Sequence, residues 1–119
     1  MLGGNTSVIY EESARIYRLA ENWREWVKRV AKAASKIGCK VFVLGSRVEG
    51  KASPSSDVDV LIVCRKLPKS AFERARIKAR IEEEAGLPPV HPFEIHLISE
   101  DELKWYKRHA KRIVEVKGE

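Results

Sequence analysis

The chain of 119 residues has the length of one ordinary domain, and 44% apolar residues are enough for a core while 34% charged residues cover its surface. A net charge of +6 fits an anionic partner such as a nucleotide or nucleic acid; it fits equally the charge-rich surface of a thermophilic protein, as do the absence of Gln and the presence of Asn only at Asn5 and Asn22. The start MLGGNTSVIY lacks a basic segment followed by an apolar run, and no stretch reaches membrane-spanning length, so a cytoplasmic protein is expected and a membrane protein is not.

In chain order, the first third reads as helix. Ile16, Leu19, Ala20, Trp23, Trp26, Val27, Val30, Ala33, Ala34 and Ile37 recur at three- and four-residue spacing, with Thr6 or Ser7 to cap the start and Gly38 to end it. Unbroken over residues 8 to 37 such a helix spans roughly 45 Å, whereas a compact domain of this size is roughly 35 Å across. It must break near Glu21-Asn22 or project. Residues 1–38 are therefore read as a helical segment packed on or projecting from a core formed by 39–119, with a wide apolar stripe that predicts a homodimer or partner interface.

Cys39 to Leu44 is β-branched and apolar, a buried strand, and a loop from Gly45 to Ser56 follows. Asp57 to Val63 forms a second strand. Ser70 and Glu73 make a capping box for a helix with Phe72, Ala75, Ile77, Ala79 and Ile81 at its apolar positions, ended by Gly86. Phe93 to Ile98 alternates strictly, putting Phe93, Ile95 and Leu97 on one face and Glu94 and His96 on the other. Ser99 and Glu102 cap a last helix, through about Lys111, whose Trp105 and Tyr106 read as core or interface rather than base-stacking residues. Ile113 to Val116 adds an edge strand. Cys39 and Cys64 are expected as buried free thiols, close together at the far ends of antiparallel strands, with a disulfide between them as the alternative that intracellular proteins of hyperthermophiles sometimes show.

Chemistry concentrates around the second strand. Residues two apart on a strand share a side, so Asp57 and Asp59 present two carboxylates together while Val58 and Val60 face the core. Oxygen ligands that leave room for water and phosphate suit Mg2+ or Mn2+. Gly45-Ser46, at the end of the preceding strand, lets backbone and hydroxyl approach phosphate oxygens. Gly45-x4-Gly50-Lys51 also matches most of a P-loop, but Ala52 stands where that motif needs a hydroxyl for Mg2+.

Taken together, GSRVEGKASPSSDVDVLIV resembles the signature of the DNA polymerase beta-like nucleotidyltransferase superfamily, and most of all its small stand-alone members, the minimal nucleotidyltransferases. The resemblance covers residues 39 to 100. It implies an α+β nucleotidyltransferase fold, a small mixed sheet flanked by helices, here with an N-terminal helical extension. It implies that Gly45 and Ser46 bind the triphosphate, and that Asp57 and Asp59 hold divalent ions with Glu94 as third, catalytic carboxylate. Arg47 and Lys51 are candidates to neutralise phosphate. The implied reaction moves a nucleoside monophosphate from an NTP to a hydroxyl and releases pyrophosphate. The alternative is an antitoxin-like module that binds a small helical partner protein, with catalysis weak or lost. Protein, small-molecule and RNA acceptors are all compatible with the sequence, although no basic track interleaved with aromatics marks nucleic acid.

Overall fold

A computed structural model describes the backbone of residues 2–51 and 57–118 and the side chains of 11–51 and 57–118; Ala52 and the expected Ser53-Pro54-Ser55-Ser56 loop lie outside the described residues. The helical first third divides into α1 (Leu2–Glu21) and α2 (Trp23–Ser35), with the break at Asn22. Helix α1 begins upstream of Thr6 and Ser7, so the expected caps lie inside it. In α2 the buried residues Trp23, Val27, Val30, Ala31, Ala33 and Ala34 form one stripe at helical spacing. The helix stops at Ser35, before its apolar periodicity does, which leaves Ile37 in the following turn and 48% exposed.

Four strands build the sheet: β1 (Cys39–Leu44), β2 (Val58–Cys64), β3 (Phe93–Ser99) and β4 (Ile113–Val116), in the order β3-β2-β1-β4. β1 is antiparallel to β2 and β4, while β2 and β3 are parallel. A parallel pair needs a crossover, and α4 (Ala71–Glu84) lies in that connection. Its first turn is capped by the Ser70 hydroxyl, which accepts from Glu73 N–H at 3.3 Å. Phe72, expected on the apolar face, sits in that first turn and is 72% exposed; the residues that reach the core are Ile81 and the half-buried Ile77, further along the helix.

The two faces of the sheet do different work. Val41, Val43, Val58, Val60, Ile62, Phe93 and Ile95 bury one face against the α2 stripe and Ile81. Each fully buried Val or Ile contributes about 1.5–3 kcal/mol over exposure. On the other face Phe42, Leu61, Val63 and Ile98 pack under Leu103 and Tyr106 of α5 (Glu100–His109). That helix starts from a complete capping box of Ser99 and Glu102 and ends two residues before the expected Lys111, because Ala110 is already extended towards β4. Trp105 is not core: it is 54% exposed, stacked on His109 with ring centroids 4.2 Å apart. α5 covers only the apolar end of this face. Towards the start of β2 and β3 the same face carries Asp59, Glu94 and His96.

Cys39 and Cys64 correct one expectation. They are direct partners in the β1–β2 register with Cα atoms 4.3 Å apart, and they form a disulfide rather than two free thiols. Opposed residues of an antiparallel pair come within bridging range whenever their side chains share a face. The bond closes the end of the β1–β2 pair farthest from Leu44 and Asp59.

Candidate active site

Asp59 sits second in β2, between the buried Val58 and Val60, so the alternation that sends both valines into the core turns its carboxylate to the α5 face. Two neighbours then converge on it. Leu44 pairs with Asp59 across β1–β2, which brings the following turn at Gly45 alongside. Glu94 pairs with Asp59 across the parallel β2–β3 ladder, on the same face.

At Gly45 the backbone adopts φ 93 and ψ −164, and a Cβ built there would lie 2.6 Å from Asp59 Oδ2. Only glycine fits: any side chain would displace the carboxylate and would also be strained by the positive φ. Ser46 opens α3 (Ser46–Glu49), one helical turn within the segment expected to be loop, closed by Gly50 in the left-handed conformation. Arg47 is half-buried in that turn and Lys51 is exposed beyond it. The antiparallel β1–β2 pair around this turn is not the strand-to-helix unit of a P-loop, which belongs to a parallel sheet.

Donor atoms of Asp59, Glu94 and His96 all lie within 4.8 Å of one another. Burial raises the Asp59 pKa most; the neighbouring Glu94 charge, a hydrogen bond shared with Glu94 and the Asp57 charge raise it further, and His96 opposes them. Carboxylates gathered in this way repel unless a proton or cation lies between them. Two carboxylates and an imidazole, open to solvent on one side, form a donor set that fits a divalent ion with free positions for water or phosphate oxygen. Asp57, one residue before β2 and exposed, is within electrostatic reach of Asp59 but outside this donor cluster. The structure thus brings Gly45, Asp59 and Glu94 together, with His96, which the sequence already sets on the face of Glu94, beside them. It keeps Asp57 and Lys51 at the exposed margin. The cue to His96 in the sequence is its spacing, two residues from Glu94 on an alternating strand.

Residues 24–117 match the sequence model of the nucleotidyltransferase domain. The chain belongs to the nucleotidyltransferase family. Among solved structures, a proposed nucleotidyltransferase from Sulfolobus solfataricus is 23% identical with TM-score 0.51, covering 89% of this chain and 83% of its own; that likeness concerns the fold. A second proposed nucleotidyltransferase is 27% identical with TM-score 0.49, covering 76% of this chain and 94% of its own. No curated protein matches. As a nucleotidyltransferase the protein is an enzyme of nucleotidyl transfer, which implies an NTP substrate, in a family that generally uses a divalent metal.

Proposed function

We propose that this nucleotidyltransferase transfers a nucleoside monophosphate from an NTP to an acceptor hydroxyl with the help of Mg2+ or Mn2+, and releases pyrophosphate. The observation that carries the reading is the contact at Gly45. The chain forgoes a side chain there so that the Asp59 carboxylate can lie against the turn that begins the Gly-Ser motif, with Glu94 opposite it in register. A phosphate seated on the turn would meet those carboxylates at once.

Each residue then has a task. Gly45 admits the triphosphate close to backbone, and the Ser46 hydroxyl donates to a phosphate oxygen. Arg47 and Lys51 offset triphosphate charge. Asp57, Asp59 and Glu94 would hold the divalent ions, which when bound would supply Lewis-acid stabilisation of the charge on the transferring phosphoryl group. The acceptor oxygen forms the new bond to the α-phosphorus as the bond to the pyrophosphate oxygen breaks. Glu94 takes the acceptor's proton. The chain contributes mainly alignment and electrostatic complementarity.

Calorimetric titration with NTP tests this. Binding is expected with Mg2+ or Mn2+ and is expected to vanish with excess chelator or in Asp57→Asn and Asp59→Asn that remain folded. Glu94→Gln is expected to keep NTP binding and lower turnover by roughly two orders of magnitude or more, since it removes a base and a ligand but little volume. Equal NTP affinity with and without chelator would defeat the metal-bridged reading, as would loss of binding in Lys51→Ala with both aspartate variants unaffected.

A further inference from the structure

The role of His96 goes beyond a carboxylate site. Glu94 and His96 are two residues apart on β3, so both side chains leave the sheet on the face that carries Asp59, with the buried Leu61 beside His96 in the register. His96 Nε2 lies 3.6 Å from Glu94 Oε1, and donor atoms of all three residues fall within 4.8 Å. We propose that the ion held by Asp59 and Glu94 takes His96 as a nitrogen ligand, so that this position selects a first-row transition-metal ion over Mg2+. The inference rests on the reading above that Asp59 and Glu94 hold a divalent ion.

Geometry and donor chemistry support it together. An ion bonded at about 2.1 Å to each partner sets neighbouring donor atoms about 3 Å apart and opposite ones about 4.2 Å apart. The three donors lie within 4.8 Å of one another, with His96 Nε2 3.6 Å from Glu94 Oε1. The Glu94 and His96 side chains are 56% and 42% exposed and can rotate the remaining distance, whereas Asp59 lies against the Gly45 turn. As an ion-pair partner of Glu94 alone, His96 would form an exposed pair of slight worth. Mg2+ prefers oxygen ligands in near-ideal octahedral geometry; one imidazole among the ligands shifts preference to ions that accept nitrogen more readily, in the order Mn2+ below Fe2+ below Co2+. His96 is thus a selectivity residue, placed beside the acid–base residue Glu94.

The test uses the full chain without a histidine tag and Mn2+ as probe, titrated against Mg2+ by calorimetry in the absence of nucleotide. Pulsed electron paramagnetic resonance of the Mn2+-loaded protein reports directly whether a ring nitrogen is bound. Wild type is expected to bind Mn2+ at least about tenfold more tightly than Mg2+ and to show nitrogen modulation. His96→Leu, and His96→Gln should the leucine variant fail to fold, are expected to lose the imidazole modulation and most of the Mn2+ advantage while keeping Mg2+ affinity within about threefold. Mn2+ bound without nitrogen modulation, or modulation that persists in both variants, would overturn the inference while leaving the carboxylate site standing. Mn2+ and Mg2+ affinities unchanged in Asp59→Asn would overturn both readings at once.

Discussion

Asp59 occupies a place that function and stability value differently. Its carboxylate is partly buried, faces Glu94 and senses Asp57, and all three effects raise its pKa. A carboxyl whose native pKa lies above its unfolded value binds its proton more tightly when folded. The metal-free protein therefore has this part of its stability below the ordinary carboxylate pKa and loses it as pH rises through the raised native value. Asp59→Asn removes the charge and keeps the shape. Solvent screening limits the gain to roughly 1 kcal/mol, or about 4 °C in a domain of this size. With chelator at neutral pH the variant is expected to melt higher than wild type by that order, with the difference vanishing in acid. Divalent ion is expected to raise the wild-type melting temperature and leave the variant unmoved. Thermal melts across pH, with and without metal, check both statements; a variant that melts lower at every pH would mean that Asp59 is structurally satisfied without a cation. At this scale alternation made the face of Glu94 legible in the sequence, because Phe93, Ile95 and Leu97 claim the other face. The contact between Gly45 and Asp59 was not legible, since it depends on how two strands pair and on the φ of one turn.

At the scale of elements, β1 and β2 were legible from two apolar runs joined by a Gly- and Ser-containing segment, and their antiparallel pairing follows from a short connection. The parallel pairing of β2 with β3 was not, because it depends on where α4 returns the chain. That same pairing sets Asp59 opposite Glu94, so part of the site lay beyond local pattern. The cysteines show the limit in another way: the sequence placed them near one another, but only the register makes Cys39 and Cys64 directly opposed. The disulfide closes a loop of sequence separation 25. In the chain-entropy account that closure stabilises by about 3.5 kcal/mol. The reduced protein is expected to melt roughly 14 °C lower. Metal and NTP binding should be retained below that transition, because the bond lies at the end of the strands away from Asp59. Melts with and without reductant, paired with the mass after alkylation, test this. Reduction that abolishes binding while the fold persists would instead couple the disulfide to the site.

At the scale of the whole molecule, the longest axis is 51 Å against 31 and 27 Å, and the radius of gyration of 15.4 Å exceeds the roughly 13.5 Å of a compact chain this long. Helix α1 alone is about 30 Å long at 1.5 Å per residue. Among its described residues only Leu19 and Ala20, next to the break at Asn22, are buried in the core, while Tyr17 is 42% exposed. α2, by contrast, supplies much of the main core, so a truncation that removes both helices would unfold the protein and report nothing about partners. The surface in question is the groove between α1 and the turn before β3, lined by Glu12, Arg15, Ile16, Pro88, Pro89 and Val90, with Val90 56% exposed. If a second copy or a helical partner protein seats in this groove, that is compatible with catalysis as well as with the antitoxin-like alternative. Substitutions in the full chain separate these cases. Arg15→Glu and Val90→Asp change the charge of this groove without touching a core residue, so each should change stability by no more than about 0.5 kcal/mol. If α1 forms an interface, wild type sediments as a dimer or captures a partner, and each substitution weakens that association by roughly tenfold or more while NTP binding at the Gly45 turn is unchanged. A wild-type monomer across the accessible concentration range that captures no protein from its native host would show that α1 serves the fold alone.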